Sequence, residues 1–314
     1  MSEIEQSAAR SRPRAEPWAA GLVFALIAAF SYGSIPALAR VAYDGGSDPL
    51  TVAFMRYMMG TCALVMMILI FRRPILLPRK AWPLTALVTL SWFVTNVSYL
   101  AAIFYLPVGL ACLLLYCFPL MAAVLLPLLD GGRLGQRQVL ALLLAPLGLG
   151  LAVATVYDSL AIEGLFFALL AAASATVTLL VSRRLVVLHD VFSITVYVNL
   201  GGALVLAAAL GLLGGFSFPY ALSGWGGLVG ASSFYAIAIV IQFAAIGLTA
   251  SPQAGMASIT EPLITIAVAA LVLGELLAPE QFLGALLLTA ALALLAWQPA
   301  QPSQVVPTTS RDEP

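Results

Sequence analysis

Two ionisable side chains lie deep inside apolar sequence, where either could do chemistry. Glu261 stands in "ASITEPLITIAV", residues 257–268, directly before Pro262. Arg56 stands in "VAFMRYMMG", residues 52–60. A charged residue at the centre of a spanning helix costs about 2.5–3.5 kcal/mol on insertion scales, so such groups face a bundle interior or a wet cavity. Burial favours the neutral form of a carboxyl group. Glu261 is therefore a candidate to carry a proton or, ionised, to bind a substrate amine. The structural alternative is an acid that is only hydrogen-bonded, or paired with Arg56. Pro262 lacks an N–H and predicts a kink that frees the Ser258 carbonyl. Ser251, Gln253, Ser258 and Thr260 make the preceding stretch polar.

Other polar groups recur at helical spacing. In "SWFVTNVSYL", Trp92, Asn96 and Tyr99 share one helix face. Such a face suits the wall of a pocket for amphipathic solutes, or else helix packing or an interfacial belt. Tyr116 precedes Pro119, and Tyr32, Gly33 and Pro36 in "FSYGSIP" are candidates for a hinge or a cavity lining. Tyr197 and Asn199 lie further along the chain, while Trp18 and Trp297 sit at segment ends and read as belt residues.

What is missing also narrows the chemistry. There is no G-x4-G-K-[ST] loop, and the only lysine, Lys80, lies in "LPRKAWP", so no ATP site is visible. There is no paired acidic motif for metal-bound pyrophosphate chemistry and no loop resembling a selectivity filter. Cys62, Cys112 and Cys117 read as small buried hydrophobes, and the single histidine, His189, has no partners at metal-ligand spacing. No cofactor, metal or nucleic acid is expected. The expected partners are a small-molecule substrate, membrane lipid and, through Glu261, protons.

The elements that must position these groups follow from composition. The chain of 314 residues is 62% hydrophobic and 9% charged, with mean hydropathy +1.04; soluble domains carry roughly 25% charged residues. Spans of about 20 apolar residues are membrane helices. Ten are predicted, at 18–40, 49–71, 81–105, 107–128, 137–157, 162–182, 190–212, 223–246, 252–273 and 280–297. A barrel is excluded because the segments are continuously apolar, not alternating. The fifth and tenth carry almost no polar side chains and are expected to face lipid. Residues 1–17 and 299–314 read as polar, disordered tails.

Basic residues set the orientation. With the N-terminus inside, the inner side collects Arg10, Arg12, Arg14, Arg72, Arg73, Arg79, Lys80, Arg133, Arg137, Arg183, Arg184 and Arg311, leaving only Arg40 and Arg56 elsewhere. Both termini are then cytoplasmic. The outer loops carry Asp44, Asp48, Asp158, Glu163, Glu275 and Glu280.

The sequence also repeats. A shift of 143 residues lays "GLVFALIAA" at Gly21 on "GLFFALLAA" at Gly164, Arg40 on Arg183, "FPL" at Phe118 on "EPL" at Glu261, and Gln138 on Gln281. Trp92 falls on Tyr235 and Tyr99 on Gln242, so a second face mixes aromatic and amide groups. The second and seventh segments align nearer 142, Asp48 on Asp190 and Gly60 on Gly202. The units are 18–157 and 158–298. An odd number of helices per unit inverts the second, so the fold class is an all-α membrane protein of ten transmembrane helices in two inverted five-helix repeats. Helix 1 belongs to a unit, so the "ALAR" at its end is not expected to be a cleavage site. Inverted repeats are a common construction of secondary transporters, with the site near the midplane where the copies meet.

The two homologous units, and the pattern from Pro262 to Gly274-Glu275, resemble the EamA-domain branch of the drug/metabolite transporter superfamily. The resemblance implies ten helices, 5+5 inverted repeats, and export of amino acids or other small metabolites across a plasma membrane. One departure is Gly132, standing where the second copy has Glu275. The expected function is a secondary-active or facilitative exporter working by alternating access. A non-transporting membrane scaffold or sensor is the alternative, and among transporters so is an exporter of hydrophobic drugs or other metabolites. The expected binding or coupling residues are Glu261, Trp92, Asn96, Tyr99, Tyr235, Gln242, Tyr116, Tyr32 and Arg56, with Pro262, Pro119 and Pro36 as hinges. The sequence leaves oligomeric state open.

Overall fold

The computed structural model describes residues 17–72, 75–154, 160–248 and 260–296. Apart from Pro17, which opens the first helix, the expected tails fall outside the described residues, as do the polar stretch holding Ser251, Gln253 and Ser258, and Trp297. The long helices are α1 (Pro17–Asp44), α2 (Pro49–Phe71), α3 (Trp82–Tyr105), α6 (Gln136–Ala154), α7 (Ile162–Leu188), α8 (Val191–Leu213), α9 (Leu222–Leu248) and α11 (Pro279–Ala296). The fourth span is split into α4 (Val108–Leu115) and α5 (Phe118–Asp130). The ninth is described from α10 (Glu261–Leu273) onward. Nine spans among the described residues are long and apolar enough to cross a membrane, counting α4 and α5 together. The chain is a multi-pass membrane protein built as two inverted five-helix repeats.

The duplication is visible in hydrogen-bond geometry. Asp48 caps α2, its carboxylate accepting from Leu50 N and Thr51 N at 2.8 and 2.9 Å. Asp190 caps α8 the same way, accepting from Ser193 N at 3.0 Å. At the far end of the fourth and ninth spans, Gly131 and Gly274 terminate α5 and α10 in the left-handed conformation, at φ 70° and 69°. Glycine enters that region without a Cβ penalty. Just beyond, Gln138 Oε1 accepts from Gly135 N at 2.8 Å, and Gln281 Oε1 accepts from Ala278 N at 3.0 Å.

Two of the three prolines expected as hinges stand near helix starts. Pro119 and Pro262 lie in the first turns of α5 and α10. There an N–H has no intrahelical partner, so its absence costs nothing. Pro119 opens α5 after the break in the fourth span, and Pro262 stands in the first turn of α10; the Ser258 carbonyl that it is expected to free lies outside the described residues. In the fourth span the chain turns through Tyr116 and Cys117, with Tyr116 N on Cys112 O at 3.0 Å and Cys117 N on Leu114 O at 3.2 Å. Pro36 alone of the three is inside a continuous helix, α1.

The most extensive packing joins one repeat to the other: α1 with α9, its repeat equivalent α7 with α3, and α6 with α11. Within lipid, helices gain little from apolar burial and associate by close packing through small residues. Ala141, Ala145 and Ala152 on α6, and Ala285 and Ala291 on α11, are buried accordingly. Gly148 and Gly284 bring the two backbones together: a Cβ on Gly148 would lie 2.6 Å from the Gly284 carbonyl oxygen. These helices, expected from sequence to face lipid, do so on one side through Leu140, Leu143, Leu147 and Phe282. Their other faces form a seam between the repeats.

Candidate functional site

Polar side chains from five helices converge where the repeats meet. Arg56, on α2, is 7% exposed. Its Nη2 donates to Asn96 Oδ1 on α3 at 3.2 Å, and its Cζ lies 4.7 Å from the ring centroid of Tyr235 on α9. The Tyr235 hydroxyl donates to Asn199 Oδ1 on α8 at 3.0 Å and meets the Trp92 indole of α3. Asn96 Nδ2 donates back to the Trp92 carbonyl at 2.9 Å. Two more tyrosines stand edge-on to Tyr235: Tyr32 of α1 at 6.3 Å and Tyr57 of α2 at 6.2 Å between centroids. Edge-to-face contact of this kind is favourable for aromatic rings.

Local sequence explains how the rings fit. Gly60 on α2 leaves room for the Tyr235 ring, whose Cε1 would be 2.7 Å from an added Cβ. Its repeat counterpart Gly202 on α8 does the same for Tyr57, at 2.6 Å. The Tyr32 hydroxyl donates to Gln242 Oε1 at 3.0 Å. Gln242 itself is exposed and stands at the edge of the cluster.

A second group gathers at the breaks in the fourth and ninth spans. Glu261 is the first residue of α10, and its carboxyl has the Tyr116 hydroxyl as hydrogen-bonding neighbour. Thr265 Oγ1 donates to the Glu261 carbonyl at 3.0 Å. The Cys112 thiol of α4 lies between the Tyr99 and Thr265 hydroxyls. Tyr32 and Tyr99 are each within electrostatic reach of both Glu261 and Arg56. Even so, among the described residues neither charge forms an ion pair, and the pairing of Glu261 with Arg56 considered from sequence is absent.

Trp92, Asn96, Tyr235, Tyr32 and Arg56 thus come together. Tyr99, Tyr116 and Glu261 form the adjoining group, and Gln242 borders the first. The α3 face read from sequence is shared between the two groups. Sequence reasoning missed Tyr57 and read Cys112 as a plain hydrophobe. The shift of 142 that pairs Gly60 with Gly202 also lays Tyr57 on Asn199, a signal that would have found Tyr57.

Two arginines related by the repeat lie at opposite ends of the bundle. Arg183 of α7 makes a two-pronged pair with Asp130 at the end of α5, at 2.9 and 2.8 Å. Arg40 of α1 donates to the Ile103 carbonyl at 2.9 Å and lies 3.5 Å from Asp44. Arg40, Asp44, Ser223 and Glu275 line a cavity of about 420 Å³ there. Glu275 Oε2 accepts from Val108 N at 2.9 Å, capping α4. Partial burial pushes the Glu275 carboxyl above the usual carboxylate range, against the opposing pull of the Val108 N–H. A separate apolar groove of about 310 Å³ runs between α3 and α8, lined by Leu77, Trp82, Phe93, Tyr197 and Val205.

The sequence model of the EamA-like transporter family matches residues 19–154 and again 162–297. No curated protein matches the chain. A solved crystal structure, 18% identical, superposes with a TM-score of 0.61 over 88% of this chain and 97% of its own. At that identity the likeness shows the fold alone.

Proposed function

The chain belongs to the EamA-like transporter family, and from that premise we propose that it exports amino acids or similar small metabolites by alternating access. In this reading it sits in a plasma membrane with both termini cytoplasmic and carries out no covalent chemistry. One observation carries it: Trp92 of the first repeat and its counterpart Tyr235 of the second meet beside Arg56, at the junction of two inverted units. A site divided between two related bodies changes its exposure when one rocks against the other. Glu261, in the adjoining group, binds the substrate amine or a proton. With a proton the carrier is secondary-active; without one it is facilitative.

The test is flux from liposomes containing the purified protein, loaded with a panel of amino acids and small metabolites, with and without a pH gradient. Gradient-dependent flux that disappears in Glu261→Gln supports proton coupling. Full flux and unchanged pH dependence in that variant remove Glu261 from the mechanism. Absence of flux for every compound leaves the scaffold or sensor reading. The apolar groove between α3 and α8 favours a second reading, export of hydrophobic compounds entering from the side.

A further inference from the structure

Arg56 has more hydrogen-bonding capacity than its surroundings use. A guanidinium offers five N–H donors in a planar fork. Here Nη2 has Asn96, and the cation rests against the Tyr235 ring. Nε, by contrast, is buried and has no acceptor among the described residues. No carboxylate pairs with the group among those residues either. A buried charge is ordinarily paired, because an unpaired one is costly. Its contacts also come from both halves of the molecule, Asn96 on the first repeat and Tyr235 on the second.

From this arrangement we infer that Arg56 is the subsite for a carboxylate of the transported solute, so that the substrates are carboxylate-bearing and amines lacking that group are rejected. The inference rests on the transporter reading and narrows its substrate class. The fork of arginine matches a carboxylate with two parallel hydrogen bonds. Charge balance selects a monoanion. Arg56 contributes one positive charge, and Glu261 lies within reach of the same tyrosines, Tyr32 and Tyr99. A phosphate dianion would leave negative charge uncompensated there, whereas the ammonium of an α-amino acid turned toward Glu261 completes the balance. The aromatic rings of Tyr32, Tyr57 and Trp92 then receive the remainder of the solute. When the repeats move apart, Tyr235 of the second withdraws from Arg56, which stays with Asn96 on the first, and the fork opens on the side that the ring covered.

The experiment uses the full-length protein in detergent and in liposomes. Binding of the common amino acids is measured by calorimetry. For each one bound, its amide, its decarboxylated amine and its aminophosphonate analogue, with phosphonate in place of the carboxylate, follow, with flux measured in parallel. The expected result is that loss of the carboxylate weakens binding about 10- to 100-fold, the scale of one or two hydrogen bonds to a charged group. Arg56→Gln should abolish that discrimination, and Arg56→Lys, which keeps the charge and lacks the fork, should restore part of it. Amide and amine binding as tightly as the parent acid would overturn the inference and leave the transporter reading standing. Tighter binding of the aminophosphonate would overturn it in favour of a phosphate-type site. Carboxylate-dependent binding without flux would sustain the inference and remove the transporter reading, while no binding of any amino acid overturns the inference.

Discussion

Replacing Gly148 by alanine should weaken the bundle, and the same change two residues along, at Gly150, should not. An added Cβ at Gly148 lies 2.6 Å from the Gly284 carbonyl oxygen and 3.0 Å from Leu288 N, the first about 0.8 Å inside the 3.4 Å at which ordinary contact begins. Both obstacles are backbone, so no side chain can rotate out of the way and α6 must move off α11. Overpacking of this kind costs about 1–3 kcal/mol. At Gly150 a Cβ meets nothing within 4 Å, and the only effect is the helix preference of alanine over glycine, about 1 kcal/mol at most. That preference enters both variants and cancels in their difference, which isolates the strain. The measurement is unfolding of each variant in mixed micelles by titration with a denaturing detergent. Gly148→Ala should fall below Gly150→Ala by about 1–3 kcal/mol. Equal stabilities, or an inverted order, would refute the packing of α6 on α11.

Other outcomes follow from the same geometry. Asp48→Ala and Asp190→Ala each remove a helix cap and should each cost about 0.5–2 kcal/mol in the same unfolding assay, with the two losses additive. Glu275 titrates above its unfolded value in the folded protein, so its contribution to stability is complete at low pH and is lost as pH rises through the raised value. Stability to unfolding should decline with rising pH across that range in the wild type, and Glu275→Gln should flatten the decline. The Arg183–Asp130 pair is exposed on both sides, so Asp130→Asn should leave unfolding unchanged at high salt, where such pairs are screened.

Spans and duplication were legible because both are written in properties that survive without three-dimensional context: runs of apolar residues, and residue types recurring at a shift of 143. The correspondence of Trp92 with Tyr235 came from that shift, and in the structure the two side chains meet. The partners of Arg56 were not legible. A sequence lists one buried cation and one buried acid and suggests joining them, but their depths and azimuths depend on how α2 and α10 pack. Asn96 and the Tyr235 ring take the cation instead. Pro262 reads as a mid-span break because an apolar run continues through it; among the described residues it stands in the first turn of α10. Cys112 carried no distinguishing mark, since a thiol between two hydroxyls has the same one-letter code as a thiol among leucines.

The seam between α6 and α11 also bears on how the protein is made. Gly148 and Gly284 are 136 residues apart. At ribosomal speeds of 5–20 residues/s, roughly 7–27 s separate their synthesis. For that interval α6 is in the bilayer with its small-residue face turned to lipid or to whatever chaperone shields it. The first repeat therefore cannot complete its own surface and must wait for a helix from the second. A nascent chain interrupted before α11 would carry that uncovered face, which gives membrane quality control a mark by which to recognise an unfinished copy.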